Sequence, residues 1–217
     1  MSYRTQEILR MIIPGLYLIA MLLILFLISS DWNVINDSDK KTIIDILKGV
    51  SNVVVLLLPF LGFVVGYMIE CIMSFGERLL YDVIGIRRPS KVVLSGSKLY
   101  ILGNLEIIKK ELGIEGKITN IKTGEALQKA KQKIERQTVE IFHDTSVMAR
   151  NIMGSQLILT VFAACYSGSM SGEFFGMIVM LLILSVYWYH RNCIYVKYVF
   201  SEFGKTIQPQ DSPNTKE

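Results

Sequence analysis

Four long runs without a charged residue constrain the fold of this chain more than any other feature of its sequence. They contain 20, 21, 22 and 16 residues and cover 11–30, 49–69, 151–172 and 174–189. A bilayer core of about 30 Å is crossed by roughly 20 helical residues, each rising about 1.5 Å. The first three runs reach that length, and the fourth reaches it if its helix continues past His190. We therefore predict an all-α membrane protein with four transmembrane helices.

The distribution of basic residues predicts the orientation. Of the 23 Lys and Arg residues, 20 lie before the first run, between the second and third runs, or after the fourth run. Segment 77–150 alone holds 14 of them against nine Asp and Glu, a net charge of +5. Basic residues beside membrane helices favour the cytoplasm. Because an even number of crossings leaves both termini on one side, both termini and segment 77–150 are predicted to be cytoplasmic.

The predicted organisation is two transmembrane helical hairpins separated by a basic, mainly helical cytoplasmic insert. A polar tail with two prolines follows the second hairpin and is predicted to be disordered. The first hairpin covers 1–76, with spans at about 11–30 and 49–69, and the insert covers 77–150. The second hairpin covers 151–204, with spans at about 151–168 and 174–190, and the tail covers 205–217.

Local breakers organise the first part of the insert. Ile84-Gly85 and Arg88-Pro89 predict the end of the second helix. The stretch Leu105–Leu112 is typical of a helix. Segments 92–96 and 99–102 each fit either a short strand or a short helix.

The insert is predicted to end in one long helix, from near Glu125 through the third span to about Gly168. Small, apolar and threonine residues in it are spaced by 3, 4, 4, 3, 4, 3 and 4, and they are Leu127, Ala130, Ile134, Thr138, Ile141, Thr145, Met148 and Ile152. Such a heptad-like seam favours helix–helix packing. Self-association in a coiled coil and packing on the insert's own helices both fit it.

No catalytic constellation is visible in the sequence. His143 and Asp144 are adjacent, but a metal-dependent hydrolase needs further ligands, and the only other histidine is His190. The three cysteines form no CxxC pair, and no Walker-type loop or GxSxG motif occurs. We therefore predict neither enzymatic activity nor a metal or cofactor site.

Helix-packing residues are predicted in the second span. Gly62 and Gly66 form a GxxxG motif, which allows two helices to approach closely, within one protomer or between protomers. Pro59 in the middle of the same span predicts a kink.

Polar residues concentrate in the third span, and they are Asn151, Ser155, Gln156, Thr160 and Ser167. Inside a bilayer, such residues mark either helix–helix hydrogen bonds or a water-filled pathway. Because the four helices of a single chain rarely enclose a pore, pore lining by these residues requires a homo-oligomer.

Glu70 is the acidic residue nearest to the inner end of the second span. Its side chain is predicted to reach the interface or to pair with Arg78. In an oligomeric pore, a ring of Glu70 side chains would instead favour cations.

The insert also carries clustered basic residues, which are Arg87, Arg88, Lys91, Lys109, Lys110, Lys129, Lys131, Lys133 and Arg136. Three interpretations fit them. They can serve as plain positive-inside charge, attract anionic membrane lipid, or bind an anionic ligand such as a nucleotide or short oligonucleotide.

Several short features give the chain a family resemblance. The second span closes in Gly66-Tyr67-Met68-Ile69-Glu70, Ile84-Gly85 precedes Pro89, and an Arg-containing helix (Arg136, Arg150-Asn151, Ser155) runs into the third span. With its four spans, the chain resembles small prokaryotic membrane effectors of anti-phage systems such as Hailong. The resemblance implies an oligomeric ion channel in the bacterial inner membrane, gated by a nucleic-acid-like ligand, whose opening depolarises the host.

Two functions are consistent with the sequence. The first is a homo-oligomeric pore gated through its basic cytoplasmic segment. The second is a non-conducting membrane anchor or scaffold, whose insert recruits a soluble partner protein. The oligomeric state distinguishes them, because a pore needs several copies around an axis.

Overall fold

The computed structural model describes residues 3–29, 37–114, 116, 118–167 and 172–207. Within its helices, side chains are described except at 3, 4, 6, 25–29, 37–56, 136–138, 166, 167, 172 and 173. The described residues form helices and connecting loops with no β-strand, as the all-α prediction requires. The helices are α1 (Tyr3–Ser29), α2 (Asp37–Arg78), α3 (Pro89–Leu94), α4 (Leu105–Glu111), α5 (Asn120–Lys133), α6 (Arg136–Ser167) and α7 (Gly172–Ile207).

Four of these helices are long and apolar enough to cross a membrane, which confirms the predicted number of such helices. Their apolar stretches lie in α1, α2, α6 and α7 and cover Glu7–Ile24, Leu57–Val83, Val139–Cys165 and Phe174–Ile207. The second stretch shares 57–69 with the predicted span and continues to Val83, while the side chains of 49–56 lie outside the described residues. Of the segment between the first two runs, 37–48 belongs to α2, and the rest lies outside the described residues. Residues 168–171, between the third and fourth apolar helices, and most of the predicted C-terminal tail also lie outside them.

The end of α2 is formed by a wider turn. Residues Leu79–Val83 continue α2 as a π-helical turn, in which the amide of Ile84 donates to the carbonyl of Leu79 at 3.0 Å. Gly85 then takes a left-handed φ of +80°, which costs a glycine little, and Pro89 starts α3. The prediction that Ile84-Gly85 and Arg88-Pro89 end the second helix is confirmed.

The described chain divides into two compact units. Unit 1 contains the described residues up to Phe75 together with Val147–Trp188. Its most enclosed element is α6, since 56% of the 18 residues of its most apolar segment are buried, against 22%, 22% and 6% for the corresponding 18-residue segments of α1, α2 and α7. The most polar of the four apolar helices is therefore also the most enclosed.

Unit 2 contains Gly76–Ser146 and the described residues from Tyr189 onward. It has a core of its own, in which apolar residues of α3, α4 and α5 pack with the C-terminal part of α7. The fully or almost fully buried members are Val93, Leu94, Ile108, Ala126, Ala130, Cys193, Val196, Val199, Phe200 and Phe203. The predicted helix at Leu105–Leu112 is confirmed as α4. Of the two ambiguous segments, 92–96 lies mostly in α3, and 99–102 is a loop.

The prediction of one uninterrupted helix from near Glu125 is wrong. Helix α5 ends at Lys133, and Ile134 has extended backbone angles (φ −110°, ψ 153°) before α6 begins at Arg136. The partly buried side chain of Ile134 packs on the apolar core of unit 2, a tertiary contact that outweighs local helix propensity. The break also interrupts the heptad-like seam, and its member Ile141 is 57% exposed.

Candidate functional site

We call the buried residues Asn151, Ser155, Gln156 and Thr160 of α6 the polar stripe, and they take part in a network of hydrogen bonds inside unit 1. Gln156 lies at its centre, 2% exposed, and joins three helices. Its Oε1 accepts a hydrogen bond from the Tyr17 hydroxyl of α1 at 2.6 Å, and its Nε2 donates to the Met177 carbonyl of α7 at 3.3 Å. Because both halves of the amide are used, the cost of burying it is offset.

Two hydroxyl groups continue this network along α6. The Ser155 hydroxyl lies 3.0 Å from the Pro14 carbonyl of α1 and 3.0 Å from the carbonyl of Asn151, one turn earlier in α6. The Thr160 hydroxyl donates to the Gln156 carbonyl at 2.8 Å. Both hydroxyls therefore have acceptors within unit 1: the Ser155 bond joins α6 to α1, whereas the Thr160 bond lies within α6, and neither needs a second protomer.

An ion pair lies near the end of the stripe. The Arg150 guanidinium Nη2 is 3.8 Å from Oε1 of Glu70, and the two side chains are only 11% and 20% exposed. The predicted pairing of Glu70 with Arg78 is replaced by this pair. Arg78 lies eight residues further along α2, a rise of about 12 Å, which is too far for an ion pair.

Asn151, next to Arg150, is fully buried, with 0% of its surface exposed. Within the described part of the chain, its Oδ1 and Nδ2 atoms have no hydrogen-bond partner, and neither does Oε2 of Glu70. Leaving a buried donor or acceptor unsatisfied costs about 1–3 kcal/mol. Buried polar groups in this state are found at functional sites more often than in ordinary cores.

The predicted packing glycines lie where α1 and α2 meet. A Cβ at Gly66 would overlap the Met11 carbonyl, and a Cβ at Gly15 would overlap the Gly62 carbonyl. The two helices run antiparallel at this crossing and touch through their backbones. Pro59 lies inside α2, and its kink stays a prediction.

The pore-lining candidates therefore fall into three groups. Asn151, Ser155, Gln156 and Thr160 are buried in unit 1, and Glu70 joins them through Arg150. The side chain of Ser167 lies outside the described residues. Because the buried group faces helices of the same protomer, it would line a pore between protomers only after a rearrangement of α6.

The basic candidates all belong to unit 2, and some of their charge is already balanced there. Arg88 pairs with Asp82 at 2.6 Å, and Lys109 pairs with Glu106 at 3.0 Å. The more exposed candidates are Arg87, Lys110, Lys129 and Lys133, whereas Lys91 is half-buried. Lys133 also lies 5.7 Å from the ring centre of Phe203. The side chain of Arg136 lies outside the described residues.

Lys131 differs from its neighbours in the same cluster. Its ammonium nitrogen lies 5.0 Å from the ring centre of Tyr195. Burial lowers the pKa of Lys131, and the Glu77 carboxylate partly opposes this effect. Its position on α5 therefore serves packing more than contact with a solvated anion.

Sequence reasoning missed the partners of the stripe. Tyr17 and Pro14 lie in the first apolar run, where the only signal was a tyrosine hydroxyl among aliphatic side chains. Arg150 had a clearer signal, because it directly precedes the third uncharged run. Its pairing with Glu70 joins residues 80 positions apart, which spacing alone does not reveal.

Comparisons with known proteins return no relative. No protein-family model matches the chain, and no curated protein or solved structure matches it either. What the chain does is therefore inferred from its own side chains.

Proposed function

We propose that the protein is a homo-oligomeric ion pore of the bacterial inner membrane, opened or closed by an anionic ligand on unit 2. In this proposal, the four apolar helices form two hairpins with both termini in the cytoplasm. Segment 77–150 is then the cytoplasmic insert between them. The arrangement agrees with the excess of basic residues in that segment and beside the termini.

The polar interior of unit 1 carries the proposal. A protein that only needs to span a bilayer gains nothing from burying an ion pair and an unsatisfied amide among its apolar helices. Such groups are costly in a bilayer and typically mark pathways for ions, protons or water. Glu70 and Arg150 supply both signs of charge, and Asn151, next to Arg150 in sequence, supplies a buried amide without a hydrogen-bond partner in the described part of the chain.

Helix α6 supplies a means of control. It is uninterrupted from Arg136 to Ser167, so it includes residues of unit 2 as well as Arg150 and the polar stripe. A ligand that shifts α6 would change the distance between Arg150 and Glu70 on α2. A ligand that binds one of the two arrangements more tightly would then shift the equilibrium between closed and open states by the difference between its two binding free energies.

The exposed basic side chains of unit 2 suggest the class of ligand. Arg87, Lys110, Lys129 and Lys133 are exposed and carry positive charge, which suits phosphate groups. A nucleotide or short oligonucleotide fits this chemistry, and the resemblance to Hailong-type effectors points in the same direction. Depolarisation of the host in anti-phage defence is the corresponding physiological role.

Conductance recordings test this function. Purified protein in planar bilayers is expected to conduct, and nucleotides or oligonucleotides are expected to change its open probability. Glu70→Gln and Arg150→Gln should each raise the ligand-independent open probability, because each removes the contact between α2 and α6. Lys205→Gln, in the exposed pair with Glu202, is the matched control. Absence of any conductance would count against the pore.

One observation favours a second function. Ser155, Gln156 and Thr160 have hydrogen-bond partners within one protomer, as expected for a self-contained membrane anchor. Unit 2, with its own apolar core, would then recruit a soluble partner protein. This alternative predicts a monomer or dimer by native mass spectrometry and no conductance. A higher oligomer that conducts would exclude its simplest form.

A further inference from the structure

Two loops of unit 2 expose large apolar side chains next to one another in sequence. The first begins at Val83, the last residue of the π-helical turn, and exposes Val83 (74%) and Ile84 (67%), with Ile86 also exposed. The second loop joins α3 to α4 and exposes Leu99 (83%) and Ile101 (70%). We call these five residues the apolar rim. Single exposed apolar residues are common, but clusters of them mark interaction sites.

Both loops are attached to the same level of α7. The Tyr189 hydroxyl donates to the Arg87 carbonyl at 2.7 Å, which holds the first loop. The Tyr100 hydroxyl lies 2.7 Å from Nδ1 of His190, which holds the second loop. Tyr189 and His190 are consecutive residues, about 1.5 Å apart along the helix axis. The rim therefore lies around one level of α7 within unit 2.

The uncharged run of α7 ends at this level, because it stops at Tyr189 and Arg191 follows. The apolar stretch of α2 reaches Val83 itself, so the first loop continues it directly. Where membrane helices end, apolar and aromatic side chains meet lipid headgroups. In the proposed topology, the first loop of the rim therefore directly follows a membrane-spanning segment in sequence.

The first loop keeps its shape through polar contacts rather than by burying its apolar side chains. Nδ2 of Asn120 lies 3.2 Å from the Tyr81 carbonyl and 2.9 Å from the Ile86 carbonyl, and its Oδ1 accepts from the Arg88 amide at 3.2 Å. One amide side chain therefore fixes the backbone on both sides of the exposed residues. A surface ordered in advance binds with a smaller loss of conformational entropy.

The charges beside the rim are mainly positive. Arg87 follows the first loop and Lys98 precedes the second, and both side chains are exposed. Asp82, the acidic residue nearest to the first loop in sequence, is paired with Arg88 at 2.6 Å. Exposed apolar side chains flanked by basic ones are the composition that binds anionic lipid surfaces.

We propose that the apolar rim inserts into the headgroup region of the cytoplasmic leaflet and that Arg87 and Lys98 bind anionic phospholipid there. The proposal rests on the membrane topology proposed above, not on conduction. It makes the lipid surface a binding partner of unit 2, so that lipid composition acts on the same unit as the ligand.

Quenching of tryptophan fluorescence by brominated lipids tests the insertion. The full chain, with Leu99→Trp or Ile84→Trp, is reconstituted in vesicles whose acyl chains carry bromine near the headgroup, and the signal of the native tryptophans is subtracted. Ile107→Trp is the matched control, because Ile107 is 51% exposed on α4. Its neighbour Ile108 packs against Gly204, about 22 Å along α7 from Tyr189.

If the rim inserts, the fluorescence of the two rim variants is quenched by lipid bromine and protected from aqueous iodide. The fluorescence of Ile107→Trp is then quenched by iodide and not by lipid bromine. Quenching of the rim variants by iodide alone would overturn the proposal. Protection from both quenchers would also overturn it, because it would indicate that a second copy of the chain covers the rim. These outcomes do not depend on conductance, so the pore and the lipid contact can fail independently.

Lipid selectivity tests the basic residues. In the Leu99→Trp background, brominated phosphatidylglycerol should quench more effectively than brominated phosphatidylcholine, by about fivefold in relative association for each basic side chain. Arg87→Gln with Lys98→Gln should bring this preference close to one. Lys129→Gln with Lys133→Gln, exposed on α5, is the control with the same change in net charge. An unchanged preference in the Arg87/Lys98 variant would refute the role of these two residues.

Discussion

The ion pair between Glu70 and Arg150 allows a quantitative test of the polar interior of unit 1. The perturbation is a double-mutant cycle built from Glu70→Gln, Arg150→Gln and the variant with both changes. Each single change leaves one charged side chain in a largely buried place, whereas the double change removes both charges. The cycle therefore isolates the interaction between the two side chains from their separate contributions to stability.

The magnitude follows from the geometry. At 3.8 Å, two unit charges attract by about 4 kcal/mol at an effective dielectric constant of about 20. Transfer of both groups out of water opposes this attraction, and residual exposure of 11% and 20% screens part of it. We expect a coupling energy of about 1–3 kcal/mol. The double variant should therefore lose less free energy of unfolding than the two single variants lose in sum.

A second pair in the same chain serves as the control. Lys205 and Glu202 are closer, at 2.6 Å, but the Lys205 side chain is 69% exposed. An exposed pair of this kind contributes about 0.2–1 kcal/mol. Both cycles can be measured by reversible unfolding in detergent micelles, from the free energy of unfolding of all variants. A coupling energy at Glu70 and Arg150 no larger than at Glu202 and Lys205 would show that burial does not strengthen the inner pair.

Three further predictions concern packing and protonation. Gly66→Ala should lower the free energy of unfolding by about 1–3 kcal/mol, because the added Cβ meets the Met11 carbonyl. Gly76→Ala, which has open space around it, should raise the free energy of unfolding by about 0.5–1 kcal/mol. Equal effects of the two changes in thermal unfolding would contradict the close contact at Gly66. Burial lowers the pKa of Lys131 in the folded chain below its ordinary value of 10.5, so between these two pKa values the unfolded chain binds more protons than the folded chain. The free energy of unfolding should therefore rise with pH up to about 10.5, and Lys131→Met should flatten that slope in denaturant titrations. Asn104 has a left-handed φ of 56°, so Asn104→Val should cost about 1–2 kcal/mol and Asn104→Gly much less, and similar melting temperatures for the two variants would contradict this.

Local sequence signals were sufficient for much of the fold. The four apolar helices follow from uncharged length alone, and the end of the second helix follows from Gly85 and Pro89, whose backbone preferences act without tertiary context. Helix α4 follows from its local pattern. The break at Ile134 did not follow, because the residues around it are compatible with a helix. Packing of Ile134 on the core of unit 2 decides its conformation, and that core is assembled from distant segments.

The candidate site was predictable only in part, for a related reason. The polar residues of α6 stand out in an apolar run, so Asn151, Ser155, Gln156 and Thr160 could be selected from sequence. Their partners are non-local: Gln156 bonds Tyr17, which is 139 residues away. Which polar group meets which depends on how the helices rotate about their axes, and periodicity fixes that only approximately.

The π-helical turn at Leu79–Val83 affects how the chain can tolerate changes in length. A π turn holds one residue more than the α-helical turn it replaces, and it is stabilised by i to i+5 hydrogen bonds. Removing one residue inside this turn would restore α-helical bonding and keep the direction in which the loop at Ile84 leaves the helix. A one-residue deletion in the preceding turns of α2 would instead rotate everything after it by about 100°. The five residues of this turn are therefore where the helix can change its length by one residue at the lowest structural cost.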